Sequence, residues 1–214
     1  MKSTLNKTRS FFLDFDGVVV ESADIKTEAF YDLYLPYGKE VAILAKDYHL
    51  NHQGVSRSKK FDAMHELFLG KKCSDDEKKI LTKKFSELVF DKILLCPLVD
   101  GIIGFLKQQK EKNIPVFLLS ATPHDELLNI CEKRGLSLFF KEMYGAPFEK
   151  SERGTFIMQQ HHFAKNDIIF IGDSISDFNA ASAIGVNFIG RVKEGDKNPF
   201  DSKVKVIKDF KALL

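Results

Sequence analysis

Tryptophan is absent from the chain, cysteine occurs only three times, and the charges nearly balance at a net +2. Each shortage removes a class of function. Without a charge excess there is no bulk electrostatic case for a nucleic-acid or membrane surface. The local lysine clusters, Lys71-Lys72 and Lys78-Lys79, stand among acids and read as a solvated helix face. Cys73, Cys96 and Cys131 are scattered, with no C-x-x-C pair and no histidine at metal-ligand spacing. An odd, sparse set of this kind predicts free thiols in a reducing compartment. The first ten residues are polar and basic, and the apolar run after them is broken at once by Asp14 and Asp16. A signal peptide or a membrane span needs a longer uncharged stretch, so neither is expected, and the expected location is cytoplasmic. Internal repeats and low-complexity segments are lacking too.

What is present is an ordinary globular composition, 44% hydrophobic and 29% charged, with 20 phenylalanines that predict a Phe-rich core. A length of 214 residues suits one α/β domain with a modest insertion, or two small domains. Compact apolar runs of strand type occupy residues 10–15, 114–120 and 167–172, with weaker ones at 186–190 and 204–207. Helical patterns lie between them at 100–111, 124–134 (closed by Gly135), 151–164 and 176–184 (closed by Gly185). Strands that are apolar almost throughout, alternating with helices, predict a parallel sheet covered on both faces. Residues 22–96 break that rhythm. They carry no strand pattern but four helical ones, at 24–35, 40–48, 58–69 and 75–93, the last introduced by Ser74 and a run of acids. The expected fold class is therefore α/β, a Rossmann-like parallel sheet built from residues 1–21 and 97–214. A helical insertion, 22–96, follows the first strand, and Pro97 marks the return.

Four short constellations carry chemistry. Asp14-Phe15-Asp16-Gly17 ends the first strand pattern. Residues two apart on a strand share a face, so both carboxylates point the same way. Gly17 permits a tight turn that exposes them at the carboxyl end, where open α/β sheets bind ligands. Adjacent acids repel unless a proton or a cation relieves them, and a hard divalent ion is the natural companion. The same four residues equally describe a plain strand-ending turn. Gly172-Asp173-Ser174-Ile175-Ser176-Asp177 follows the 167–172 run. Here Ser174 or Ser176 suits a helix cap and Asp177 suits a helix N-terminus, yet a second acidic pair at a second strand end exceeds what capping needs. Ser120-Ala121-Thr122-Pro123 offers a hydroxyl and backbone N–H groups beside a helix start, which fits an anion and fits simple capping as well. Lys150 stands in a polar turn before a helix, where a lone lysine is ordinarily just solvated.

Taken in order, acid pair, hydroxyl, lysine and acid pair each fall where a strand ends or a helix begins. In this the sequence resembles the haloacid dehalogenase-like (HAD) hydrolase superfamily. Its four motifs match DFDGVVVES at residues 14–22, LLSATP around Ser120, Lys150, and GDSISD at residues 172–177, over essentially the whole chain. The helical insertion is similar to the type-I cap of the phosphoglycolate phosphatase and β-phosphoglucomutase branch. The resemblance implies a Mg²⁺-dependent phosphohydrolase acting on a small phosphorylated metabolite. It makes Asp14 the nucleophile and a metal ligand. Asp16 is implied as the general acid that protonates the leaving oxygen and then activates water, with its backbone carbonyl on the metal. Asp173 would complete the protein's share of the metal shell, and Asp177 would orient Lys150 or a metal-bound water. Ser120, the amide of Ala121, and Thr122 would hold the phosphoryl group, while Lys150 neutralises it and Asp14. A halide leaving group needs no proton, and dehalogenases of the family lack the acid at Asp16; an alkoxide does need one, so phosphate esters are the implied substrates.

Within the insertion, Gly54-Val55-Ser56-Arg57 resembles a G-x-x-R feature of sugar-phosphate members. Arg57 is then a contact for a second anionic group or a sugar hydroxyl, or else a pairing residue at the start of the following helix. His49 and His52 flank this loop and read as surface or packing histidines. Two departures from the family pattern stand out: Glu21 in place of a frequent Asp, and Lys26 where many β-phosphoglucomutase relatives have His. The second argues against mutase chemistry and points to an anionic substrate within reach of Lys26. A phosphosugar mutase is the main rival reading. A non-catalytic binding protein is the other, but it would be expected to lack an acid or the lysine. No nucleic-acid or membrane partner is expected, and the expected state is a monomer or weak dimer.

Overall fold

The computed structural model describes residues 8–214. Its strands are β1 (Ser10–Leu13), β2 (Val116–Pro123), β3 (Glu142–Ala146), β4 (Ile168–Gly172), β5 (Asn187–Arg191) and β6 (Val206–Ile207). They form one sheet in the order β3-β2-β1-β4-β5-β6, parallel at every neighbouring pair. The apolar runs separate by parity. Phe11 and Leu13 of β1 face one layer with Val116, Leu118, Ile169 and Ile171, and Phe12 faces the other with Phe117, Leu119 and Phe170. Each face then needs a cover, which is why nearly every residue of a central strand is apolar. Phe12 is fully buried and meets Phe117 and Phe170 edge-on, at centroid distances of 5.7 and 6.2 Å.

Helices α1 (Ala23–Tyr34), α2 (Lys39–Asn51), α3 (Arg57–Leu69) and α4 (Asp75–Leu95) lie between β1 and β2 in sequence. Helix α5 (Ile102–Glu111) returns the chain to β2. Helices α6 (His124–Lys133), α7 (Lys150–Gln160) and α8 (Ile175–Ile184) connect the later strands. Ile157 of α7 with Ala180 and Ala181 of α8 cover the Phe12 face, while α5 and α6 cover the opposite one through Phe105, Leu106, Leu127 and Ile130. The insertion has its own centre at Phe30, whose ring lies 4.6 Å from Phe85 and 6.1 Å from Phe61. Ser74 and Glu77 close a reciprocal capping box at the start of α4, as its acidic first turn suggests.

The two crossings between insertion and sheet run side by side. Glu21 N–H donates to Pro97 O at 2.9 Å, Val99 N–H donates to Val19 O at 3.1 Å, and Val20 bridges Leu98 antiparallel. The chain therefore leaves and re-enters the sheet through one narrow, hydrogen-bonded neck.

Strand β3 was not among the sequence expectations. It is an edge strand, paired only with β2, and its half-buried side chains give no continuous apolar run to detect. Helix α7 starts one residue earlier than expected and ends at Gln160, so Lys150 is its first residue rather than part of the preceding turn. All three cysteines are free and buried. Among the described residues, no helix is long and apolar enough to cross a membrane.

Candidate active site

The chain winds from β1 through β2 to β3 on one side of the sheet and from β4 through β5 to β6 on the other. The switch point between β1 and β4 leaves a crevice at the carboxyl ends of these two strands. Asp14 directly follows β1, and its N–H continues the ladder by donating to Ile171 O at 3.0 Å. Asp173 directly follows β4. Gly17 makes the turn possible. Its φ is +70°, and a Cβ there would stand 2.0 Å from Asp173 Oδ2, so only glycine lets the first turn pass beneath the second acid. Arg191 pins that turn from β5, donating to Gly17 O at 3.1 Å and forking onto Glu21 at 3.0 and 2.5 Å.

Lys150 enters from the first turn of α7. Its ammonium is 2.6 Å from Asp177 Oδ1 and 2.7 Å from Asp14 Oδ1. The bond to Asp177 is a directed hydrogen bond. The approach to Asp14 is an ion pair by distance only, so Asp14 Oδ1 is buried without an aligned hydrogen-bond donor. Burial opposes the charge on Lys150, but Asp14 and Asp177 outweigh it and raise its pKa. Asp177 serves two masters. Its Oδ2 accepts from Ser174 Oγ at 2.6 Å while Ser174 Oγ accepts from Asp177 N–H, which caps α8, and its Oδ1 fixes Lys150. Burial pushes Asp14 up to about 7 despite Lys150, with Asp177 and Asp16 adding repulsion. Burial and the Asp14 charge likewise hold Asp173 well above the ordinary carboxylate range.

The Asp16 carboxylate turns the other way. Ser22 donates to Oδ1 at 2.6 Å, Thr122 donates to Oδ2 at 3.0 Å, and Lys26 makes a short contact with Oδ2. Lys26 also reaches Thr122 Oγ1 at 2.7 Å. Burial alone would raise the Asp16 pKa, but the Lys26 charge and these three donors overcome it and set the group below its usual value.

The donor set fits a hard divalent cation. Ligand oxygens of Asp14, Asp173 and Asp177 lie within 4.8 Å of one another. The Asp177 oxygens are already engaged by Ser174 and Lys150. Asp14 has an ion pair with Lys150 but no aligned donor on its Oδ1, which leaves Asp14 and Asp173 as the acids able to take a cation. Among the described residues, the four carboxylates (Asp14, Asp16, Asp173, Asp177) have just two ammonium groups (Lys26, Lys150) ion-paired to them, an excess of acid that a divalent cation would offset.

Ser120 and Ala121 stand at the carboxyl end of β2. They share a cavity with Lys150, Ser176 and Pro147, while Asp14, Asp16 and Asp173 open into an adjoining one; Ala121, Gly54 and Val55 line both. Ser120 Oγ accepts from Thr122 N–H at 3.1 Å. Thr122, expected on the phosphoryl group, has its hydroxyl committed to Asp16 and Lys26. Arg57 lines the acid cavity, but its guanidinium is spent on Glu126 at 2.8 and 3.1 Å and on Ser86 at 2.8 Å. Of the two alternatives for Arg57, the geometry realises pairing, and with a partner on α6 of the sheet layer that its local sequence does not reveal. Gly54 (φ +76°) packs so closely on α8 that a Cβ would lie 2.5 Å from Ser174 Oγ. His52 is exposed and stacks on Tyr48 at 3.9 Å, whereas His49 is buried and lines the acid cavity. Sequence reasoning missed Ser22, Glu126, Arg191 and Lys60. Glu126 and Arg191 have partners distant in the chain, Lys60 finds its partner on the neighbouring helix, and only Ser22, inside a matched motif, left any signal.

Three comparisons place this arrangement. The haloacid dehalogenase-like hydrolase model matches residues 11–191. Phosphoglycolate phosphatase 1 of Pseudomonas aeruginosa is 24% identical over 187 residues, which is 83% of this chain and 67% of that relative. A β-phosphoglucomutase from Clostridium difficile superposes with a TM-score of 0.75 at 20% identity, covering 97% of this chain and 93% of that one. A HAD hydrolase of family IA, variant 3, from Entamoeba histolytica superposes with a TM-score of 0.77 at 16% identity, covering 97% and 96%. The two solved structures share the fold, and the family match spans the sheet from β1 to β5, the insertion and every acid of the crevice: the chain belongs to the haloacid dehalogenase-like hydrolases.

Proposed function

We propose that the chain hydrolyses a small phosphate monoester through a covalent aspartyl-phosphate on Asp14. The observation that carries this reading is the buried Asp14 carboxylate, held against Lys150 and facing Asp173 with one oxygen free of any aligned donor. Phosphoryl transfer asks for an in-line nucleophile and concentrated positive charge, and little else from the protein. Asp14 attacks phosphorus, and Lys150 offsets the repulsion between one anion and another. Ser120 and the amide of Ala121 receive the equatorial oxygens. Asp16 gives a proton to the leaving oxygen and takes one from the water that cleaves the acyl phosphate. The carboxylate form that Lys26 favours is the one that deprotonates that water. Carboxylates of Asp14 and Asp173 and the backbone carbonyl of Asp16 would hold Mg²⁺, which supplies charge neutralisation at the phosphoryl oxygens. Helices α1 to α4 act as a cap that excludes water and selects the leaving group. The phosphatase named among the relatives supports this choice of reaction.

The test is a phosphate-release screen over phosphorylated metabolites with Mg²⁺, using Asp14→Asn as the blank. Release by the native chain and none by the variant, with an unchanged circular dichroism spectrum, is the expected result. Near-normal release by Asp14→Asn would remove the nucleophile assignment. Conversion of a sugar phosphate to its isomer without free phosphate would favour a mutase instead.

A further inference from the structure

Lys60, on the first turns of α3, is a buried cation that the proposed chemistry leaves unused. It is 3% exposed and lines the same cavity as Asp14, Asp16 and Asp173. Among the described residues no carboxylate pairs with it. Its ammonium meets His49 Nδ1 at 2.8 Å and stands 5.3 Å above the Phe30 ring. The other cations of this cavity are committed, Lys26 to Asp16 and Thr122, Arg57 to Glu126 and Ser86.

Burying an ammonium with no counter-ion costs several kcal/mol, and a protein that retains one beside its reaction centre gains nothing in stability from it. Burial first, and the nearby Lys26 charge second, lower the Lys60 pKa to about 7 against the opposing pull of the nearby Asp16 and Asp173 carboxylates. Burial and the Lys60 charge drive His49 down to about 2, so the imidazole is neutral and its Nδ1 accepts from the ammonium. That leaves two of the three Lys60 N–H groups without a protein acceptor. An uncharged sugar face would be met at lower cost by hydroxyls or amides. A neutral acceptor behind a cation orients it without cancelling its charge.

We propose that Lys60, held by His49, is the subsite for a second anionic group on the leaving half of the substrate, a carboxylate or a second phosphate. The substrate is then a phosphorylated acid or a bisphosphate rather than the ester of an uncharged alcohol. This deepens the phosphatase reading and rests on it for which half of the substrate departs.

Equilibrium binding separates the two claims, because it needs no turnover. In the Asp14→Asn background, calorimetry would compare esters that differ in one anionic group: 3-phosphoglycerate against glycerol 3-phosphate, and glucose 1,6-bisphosphate against glucose 1-phosphate. The member carrying the additional anionic group is expected to bind about 100-fold more tightly in one pair, the pair identifying carboxylate or phosphate. Adding Lys60→Met should bring that ratio within about threefold, and Lys60→Arg should restore part of it. The melting temperature of Lys60→Met should equal or exceed that of its parent, since an unpaired buried charge is gone. Equal binding within both pairs, or a ratio untouched by Lys60→Met, would overturn the subsite. So would a Lys60→Met that melts lower and binds both members of a pair equally weakly, with no recovery in Lys60→Arg, because Lys60 would then be a packing residue. Phosphate release from none of the four esters by the native chain, with the binding preference intact, would count against the hydrolysis alone.

Discussion

At the scale of single residues, the site depends on one position having no side chain. Gly17 lies in the left-handed region and a methyl there would overlap Asp173 Oδ2 at 2.0 Å. Gly17→Ala must therefore adopt a conformation that L-residues avoid and push Asp173 aside. The backbone part is worth about 1–2 kcal/mol of stability. The displacement acts on cation binding, so the Mg²⁺ concentration for half-maximal phosphate release should rise at least ~10-fold, the usual effect of misplacing a supporting group. A metal titration of activity decides it; an unchanged half-saturation point would mean that Asp173 does not hold the ion. Gly17 was legible in the sequence as a turn former. The acid that makes it obligatory lies at the end of a strand more than 150 residues away, and local pattern carries no trace of that approach.

At the scale of elements, the helical insertion is tied down by Arg57 at the start of α3, whose guanidinium forks onto Glu126 of α6 at 2.8 and 3.1 Å. Both side chains are nearly enclosed, 7% and 9% exposed, so the pair is weakly screened. Glu126→Gln leaves Arg57 buried without its anion, at a cost of about 3 kcal/mol in urea unfolding. Loosening of α3 should also raise KM more than it lowers kcat. Unfolding that coincides with the native chain would show that the bridge contributes nothing net. The helices were legible by their apolar period, and the central strands by unbroken apolar runs, since Phe11 and Leu13 are buried on one face and Phe12 on the other. Strand β3 was not, since an edge position buries too little to print a pattern. The Arg57–Glu126 bridge was not either, because a helix surface residue and a distant acid look like any two solvated charges until the layers dock.

For the whole molecule, the determining fact is that folding gathers Asp14, Asp16, Asp173 and Asp177 with just two lysines, Lys26 and Lys150, ion-paired to them among the described residues. The order of the acids along the chain announced this gathering, but its electrostatic cost appears only with burial. Asp14 is pushed up to about 7 and Asp173 is raised as well, both by burial first. An acid whose pKa is higher folded than unfolded binds its proton more tightly in the native state. Its contribution to stability is therefore full below the unfolded value of about 4 and is lost as pH rises to about 7. A divalent cation competes for the same oxygens and needs them deprotonated, so its stabilisation runs the opposite way. At a hundredfold excess over Kd, Mg²⁺ should add about 2.7 kcal/mol at pH 8. For a chain of this size that is roughly 5–10 °C in Tm. At pH 5, where Asp14 keeps its proton, the same concentration should add almost nothing. In Asp14→Asn the increment should be small at both values. Thermal unfolding with Mg²⁺ or EDTA at pH 5 and pH 8 measures all of these, and an increment independent of pH would mean that the cation does not bind at Asp14.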